Sequence, residues 1–326
     1  MEAILENKLK KNRPDLAPSS VSTYLTTYRR IAKNIGETLM TPRDFSIHIE
    51  KILKYIDGIN VRMKRPAIAA IVSLLKEPTV DKDTEKVIQR YSDALSLASK
   101  ELNDIEDDQE MTDRQKEAYL PWPEILKIYE KLKQHAEPLW KIKPEYITGD
   151  IFEILQYYVL LSCYVLIPPR RALDYAVFKI RDYDTSHESK DNYMVEVRGR
   201  PYFVFNTYKN AKRLGSQKFE IPLELKKIIN KWKTLNLSDF LLMNSKKKPI
   251  HATRINKMLG DIFKRNIGAS LLRHSYLTHN FGNVDLNNLE QTAQQMGSSS
   301  IKRILRYVDK EKAKEEASTG VEEVKA

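Results

Sequence analysis

At 326 residues, with 41% hydrophobic and 30% charged side chains, the chain is too long for one small core and too apolar for a disordered protein. Its formal net charge of +11 and pI near 9.3 favour a polyanionic partner, because each neutralised phosphate releases condensed counterions; charge alone leaves DNA, RNA and an anionic membrane surface open. One cysteine (Cys163), six histidines in no zinc spacing, and no apolar run of about 18 residues argue against a disulfide framework, a metal or cofactor centre and a membrane span, and place the chain in the cytoplasm or nucleus.

From Ser19 to Ile35 the apolar residues Val21, Tyr24, Leu25, Tyr28, Ile31, Ala32 and Ile35 recur at helical spacing, with Pro18 as a start signal and Gly36 as a stop. Arg29, Arg30 and Lys33 lie off that stripe. Further helical patterns cover Asp44–Ile56, Val61–Leu75 and Asp83–Leu102, which together make a compact four-helix bundle. Arg62, Lys64 and Arg65 form a second basic cluster. Either cluster fits a phosphate-binding face or an ordinary solvated one.

Composition shifts at Asn103–Lys116, an acidic run without hydrophobic periodicity that reads as an exposed linker. The expected organisation is a helical domain at 1–103, a linker at 104–118, a second domain at 119–312 and a charged tail at 313–326. In the second domain, helices are expected from Trp122 to about Lys133 and from Phe152 to Val165. Three strand-like runs follow, Tyr193–Val197, Tyr202–Asn206 and Lys218–Pro222, and the pattern from Leu223 to Tyr307 is again helical. The fold class is mainly α with a small antiparallel sheet.

Four elements of the second domain carry candidate chemistry. Pro168-Pro169-Arg170-Arg171-Ala172-Leu173-Asp174 puts an arginine and an acid three residues apart; Lys209 and Lys212 lie between the second and third strand. Arg273 and His274 sit in Leu271-Leu272-Arg273-His274-Ser275. The helix break Gln295-Met296-Gly297-Ser298 is followed nine residues after Ser298 by Tyr307. Taken singly, each has an ordinary reading: a salt bridge, solvated lysines, a paired arginine in an apolar helix, a core aromatic beside Ile304.

The ordered set resembles the tyrosine recombinase (phage integrase) family, and in detail the integrases of mobile elements and large DNA viruses. The resemblance implies a core-binding domain, a linker and a catalytic domain. It makes Arg171 the first arginine, because Asp174 stands three residues on as a structural support, with Arg170 as the alternative. Lys209 becomes the catalytic lysine, with Lys212 the runner-up and a DNA contact. Arg273 is the second arginine, His274 an orienting neighbour, Ser298 the residue after the glycine, and Tyr307 the nucleophile.

The implied activity is cleavage and rejoining of double-stranded DNA through a 3′-phosphotyrosyl bond, by protomers that self-assemble into a tetramer on DNA, without metal or cofactor. The residue types suit that chemistry. Arginines grip phosphate oxygens in bidentate fashion, a lysine can protonate the leaving 5′ oxygen, and nearby cations favour a phenolate. Arg29, Arg30, Lys33, Arg62, Lys64 and Arg65 are then DNA contacts of the first domain. Two positions depart from the family pattern: Ser270 and Ser298 stand where histidines (or, at the second, a tryptophan) are frequent, and serine cannot act as a cationic acid. A catalytically inert DNA-binding protein on the same fold, a type IB topoisomerase and a helical RNA scaffold are the competing readings, and Tyr276 is the competing nucleophile.

Overall fold

The computed structural model describes residues 2–77, 80–107, 111–181, 190–281 and 292–297. The chain divides into two compact units, Met1–Asp108 and Gln109–Ala326.

In the first unit, α1 (Glu2–Asn12), α2 (Pro18–Ile35), α3 (Pro42–Ile47), α4 (Ile49–Asp57), α5 (Val61–Leu75) and α6 (Lys82–Asp107) close around one core. Pro18 presets the first turn of α2. Gly36 ends that helix at φ 70°, returning its N–H to the Ala32 carbonyl. The stretch expected as one helix from Asp44 to Ile56 is two. A Thr41–Asp44 capping box starts α3, and His48, at φ −98° and ψ 19°, separates it from α4. Helix α1 carries only a short apolar stripe, in which Leu5 and Leu9 are buried, so little periodicity marks it in the sequence.

Two tyrosines bind the bundle at its centre. Tyr28 meets Phe45 edge to face at 5.0 Å and donates its hydroxyl to the Ala70 carbonyl at 2.6 Å; Tyr91 donates to the Phe45 carbonyl at 2.8 Å. Burial pushes both phenols well above their ordinary pKa.

The described parts of the acidic run, up to 107 and from 111 on, are more ordered than an open linker. Helix α6 continues to Asp107, and Thr112 and Gln115 form a capping box that starts α7 (Asp113–Ala118), with Met111 and Ala118 buried. Capping supplies the order that hydrophobic periodicity does not.

The second unit continues with α8 (Trp122–Leu139), α9 (Gly149–Val165), α10 (Ala172–Tyr175), β1 (Tyr193–Val197), β2 (Arg200–Phe205), α11 (Ala211–Leu214), β3 (Gln217–Glu220), α12 (Leu223–Leu235), α13 (Ala252–Phe263) and α14 (Ala269–Phe281). The strands form an antiparallel sheet in the order β1-β2-β3, with Tyr193 opposite Val204 and Phe203 opposite Phe219. Arg198 and Gly199, both at positive φ, make the tight turn between β1 and β2. Met194, Phe203 and Phe205 face the main core, while Tyr193, Val195 and Val204 cluster apart from it. Through its C-terminal half α9 is buried all round, Cys163 included. Among the described residues no helix is long and apolar enough to cross a membrane, and no cluster of His, Cys, Asp and Glu could hold a metal.

Replacing Tyr28 with phenylalanine removes one buried hydrogen bond and keeps the ring packing. It is expected to lower stability by about 1 kcal/mol, read as a lower urea midpoint with an unchanged slope.

Candidate active site

The first site element lies between α9 and α10, where Pro168 and Pro169 keep the chain from continuing as helix. Arg171, at φ −70° and ψ 148°, is the extended N-cap of α10. Consecutive residues on extended backbone point to opposite sides, and the two arginines divide accordingly. Arg170 is wholly buried, whereas Arg171 is half-buried.

Arg170 donates from Nε to Asp174 Oδ2 at 2.9 Å and from Nη1 to Gln217 Oε1 at 3.0 Å, and also to the Gln295 carbonyl. Its guanidinium lies 3.8 Å from the Phe205 ring centroid and 5.1 Å from that of Tyr208. Asp174 therefore holds Arg170 and not Arg171, which corrects the pairing expected from the three-residue spacing. The acid stands in the first turn of α10, and the residue four positions earlier reaches it. Burial pushes the Asp174 carboxyl above the usual range, and this is opposed by Arg170 first and by Arg171 and Arg273 at longer reach. Residues 171 and 273, distant in sequence, both lie near enough for their charge to act on this carboxylate.

A second knot forms at 292–297. Gly297 has φ 64°, and a Cβ there would stand 2.6 Å from Arg170 Nη2 and 3.3 Å from the Tyr208 ring. Only glycine combines that backbone with that approach. Its carbonyl accepts from Arg171 Nη1 at 3.0 Å and from Asn210 Nδ2 at 2.7 Å; Gln217 Nε2 donates to the Gln294 carbonyl at 2.9 Å. The segment carrying Lys209 is anchored from below by Asn192, which is buried. Asn192 Nδ2 donates to the carbonyls of Asp174 and Thr207, and its Oδ1 accepts from the N–H groups of Asn206 and Thr207.

Lys209 is exposed just before α11, and Lys212 is exposed on it. Arg273 and His274 lie on α14 and are buried, at 2% and 5% exposure. Tyr276 packs edge-on against Trp122 at 5.0 Å, and burial raises its pKa; both oppose a role as phenolate nucleophile. Ser298 and Tyr307 lie outside the described residues.

In the first unit, Arg29 and Lys33 of α2 and Arg62 and Arg65 of α5 are exposed, and Arg30 is half-buried. Lys64, expected as a DNA contact with them, is ion-paired to Glu101 at 3.3 Å, with only 16% of its side chain exposed.

Sequence reading missed Asn192, Asn210 and Gln217, and also a cleft of about 840 Å³ between α7, α13 and the start of α14. Arg114, Lys257, Lys264 and Arg265 line it with Ser270, against one carboxylate, Asp261. Among the described residues none of those four cations has an ion-pair partner. Asn256 Oδ1 caps the start of α14 by accepting from the Ala269 N–H at 3.0 Å, so the cleft abuts the helix that carries Arg273.

No protein-family model matches the chain, and no curated protein matches its sequence. Among solved structures it is similar to the XerH site-specific recombinase bound to palindromic difH substrate in a post-cleavage complex, at TM-score 0.56 and 13% identity, over 98% of this chain and 84% of that one. The XerH pre-cleavage complex with difH substrate aligns at TM-score 0.53 and 15% identity, over 94% and 81%. The chain has the tyrosine-recombinase fold.

The two arginines should separate cleanly under mutation. Asp174→Ala strands a buried guanidinium and is expected to cost about 3–5 kcal/mol. Arg171→Ala removes one half-exposed hydrogen bond, for about 1 kcal/mol or less. Thermal melts of the two variants measure the contrast; equal losses would remove the assignment.

Proposed function

We propose that this chain is a site-specific DNA recombinase that cuts and rejoins duplex DNA through Tyr307. The observation that carries this reading is the convergence of the Arg171 element, Arg273, the Lys209 segment and the Gly297 turn on one buried acid-and-arginine scaffold. Four sequence-distant elements meet there. The similar XerH structures hold a DNA substrate, which supports duplex DNA as the partner here.

In the proposed reaction the Tyr307 phenolate attacks the scissile phosphorus. A tyrosyl–phosphorus bond forms as the bond to the 5′ oxygen breaks. Arg171 and Arg273 hold the non-bridging oxygens, where charge develops in the pentavalent state. Lys209 gives the departing 5′ oxygen its proton. The phosphotyrosyl bond conserves the energy of the broken linkage, so a 5′ hydroxyl from a second strand can reverse the step. Exchange between two duplexes calls for several protomers, and assembly into a tetramer on DNA is part of this proposal.

The burial of Arg273, together with serine at 270 and 298, favours a second reading, an inert DNA-binding protein on the same fold. A pool of nicked suicide duplexes with a randomised centre separates the two. Wild-type chain should yield a covalent protein–DNA band, Tyr307→Phe should yield none while binding DNA normally, and Arg171→Ala should cleave on the order of a hundredfold more slowly. A band that survives in Tyr307→Phe would move the nucleophile elsewhere, and no band from wild type would leave the inert reading.

The basic cleft supplies an independent check on the partner. Affinity for duplex should fall steeply with salt, and the double variant Lys257→Ala/Lys264→Ala should flatten the log–log slope by on the order of two. A wild-type affinity indifferent to salt would exclude DNA as the partner.

A further inference from the structure

The Gly297 carbonyl is a junction between two site elements. It accepts from Arg171 Nη1 at 3.0 Å and from Asn210 Nδ2 at 2.7 Å, and its two lone pairs satisfy both donors. Asn210 is the residue after Lys209. We infer that Asn210 is a positioning residue, which through the Gly297 carbonyl fixes the segment bearing Lys209 against Arg171, so that the proton donor and the phosphate clamp are set by one shared acceptor. The inference rests on the recombinase reading above.

The surroundings of Lys209 show why the segment needs this tie. Tyr208 is buried beneath Arg170, and its hydroxyl donates to the Gly215 carbonyl at 2.8 Å, closing the connection between β2 and β3 on itself. The Asn210 carbonyl receives the N–H groups of Arg213 and Leu214, both at 3.0 Å, and so starts the single turn of α11. Between these fixed points Lys209 is exposed. A four-residue helix has little stability of its own, so the side-chain bond of Asn210 to the turn determines where the preceding residue sits. Gln217 binds the same turn three residues earlier, at the Gln294 carbonyl, but it does so from β3 and beside Arg170. Asn210 alone of the two adjoins the lysine.

General-acid assistance distinguishes a positioning role from a structural one. When the P–O5′ bond breaks, the oxygen leaves as an alkoxide unless a proton arrives with bond cleavage, and Lys209 supplies that proton. If sulfur replaces the bridging 5′ oxygen, the leaving group is a thiolate. A thiol has a pKa of about 8.5, so it departs without a proton. A defect in the proton donor or its placement is therefore repaired by the sulfur substrate, and a defect in the phosphate clamp or in folding is not.

The experiment measures single-turnover cleavage of the nicked duplex that best traps the wild-type chain, made with a bridging 5′ oxygen or a bridging 5′ sulfur. The proteins are wild type, Lys209→Ala, Asn210→Ala, Asn210→Asp and Arg171→Ala. Asn210→Asp is nearly isosteric but has lost the donor, and it keeps the inference testable if the alanine variant folds poorly. Both Asn210 variants should cleave the oxygen substrate on the order of tenfold or more slowly and cleave the sulfur substrate at close to the wild-type rate, as Lys209→Ala should. Arg171→Ala should stay slow on both. Wild-type rates on the oxygen substrate, or equal losses on oxygen and sulfur, would overturn the role of Asn210 and leave the recombinase reading intact. Absence of an adduct from wild type on either substrate would overturn both.

Discussion

The buried pairing of Arg170 with Asp174 is the contact on which the rest of the site depends. A guanidinium and a carboxylate removed from water are costly unless their geometry is close and their remaining donors are used. Here Arg170 Nη2 and Asp174 Oδ1 stay buried without a hydrogen bond among the described residues. The cost is offset through Nε and Nη1 by a 2.9 Å contact, the Gln217 side chain and a backbone carbonyl of the 292–297 turn, and by an aromatic face at 3.8 Å. Each of those groups belongs to a different part of the chain. The contacts of one buried arginine thus gather α10, the sheet, the β2–β3 connection and the approach to the C-terminal region, and Arg171, the extended N-cap of α10, lies half-buried beside that assembly.

Glycine at 297 belongs to the same constraint. The left-handed backbone turns the 297 carbonyl toward Arg171 and Asn210 while the absent side chain leaves room for the Arg170 guanidinium. A larger residue would have to displace either a buried cation or the Tyr208 ring, and both are held from several sides. Interiors packed at this density respond to such changes as a unit and not one contact at a time.

Much of this architecture was legible in the sequence. Strand β1 runs from Tyr193 to Val197 as its β-branched and aromatic residues indicate, and α5 has the expected bounds. The ordered arginines, lysine and tyrosine pointed to the fold that the XerH structures share. What could not be read has a common cause. Arg170 and Arg171 are identical in composition and adjacent, and only the direction of an extended backbone tells them apart. Asn192, Asn210 and Gln217 are ordinary polar residues until their partners, as distant in sequence as Asn210 is from Gly297, are known. Lys64 looked like one member of a basic cluster because Glu101, its partner, lies on the next helix. Helices α1 and α7 depend on a pair of leucines and on a capping box, signals too small for a periodicity argument.

Cys163 sits near the C-terminal end of α9 with no exposed surface, and burial holds its thiol far above the ordinary range. Thiol reagents attack the thiolate and need access to sulfur, so the native residue is shielded on both counts. The folded protein consequently behaves toward maleimides and disulfide probes as though it contained no cysteine. A single cysteine introduced at an exposed position of α2, α5 or α11 would carry a dye or spin label selectively, and would report the environment of that position in the working molecule without any need to remove a residue from its core.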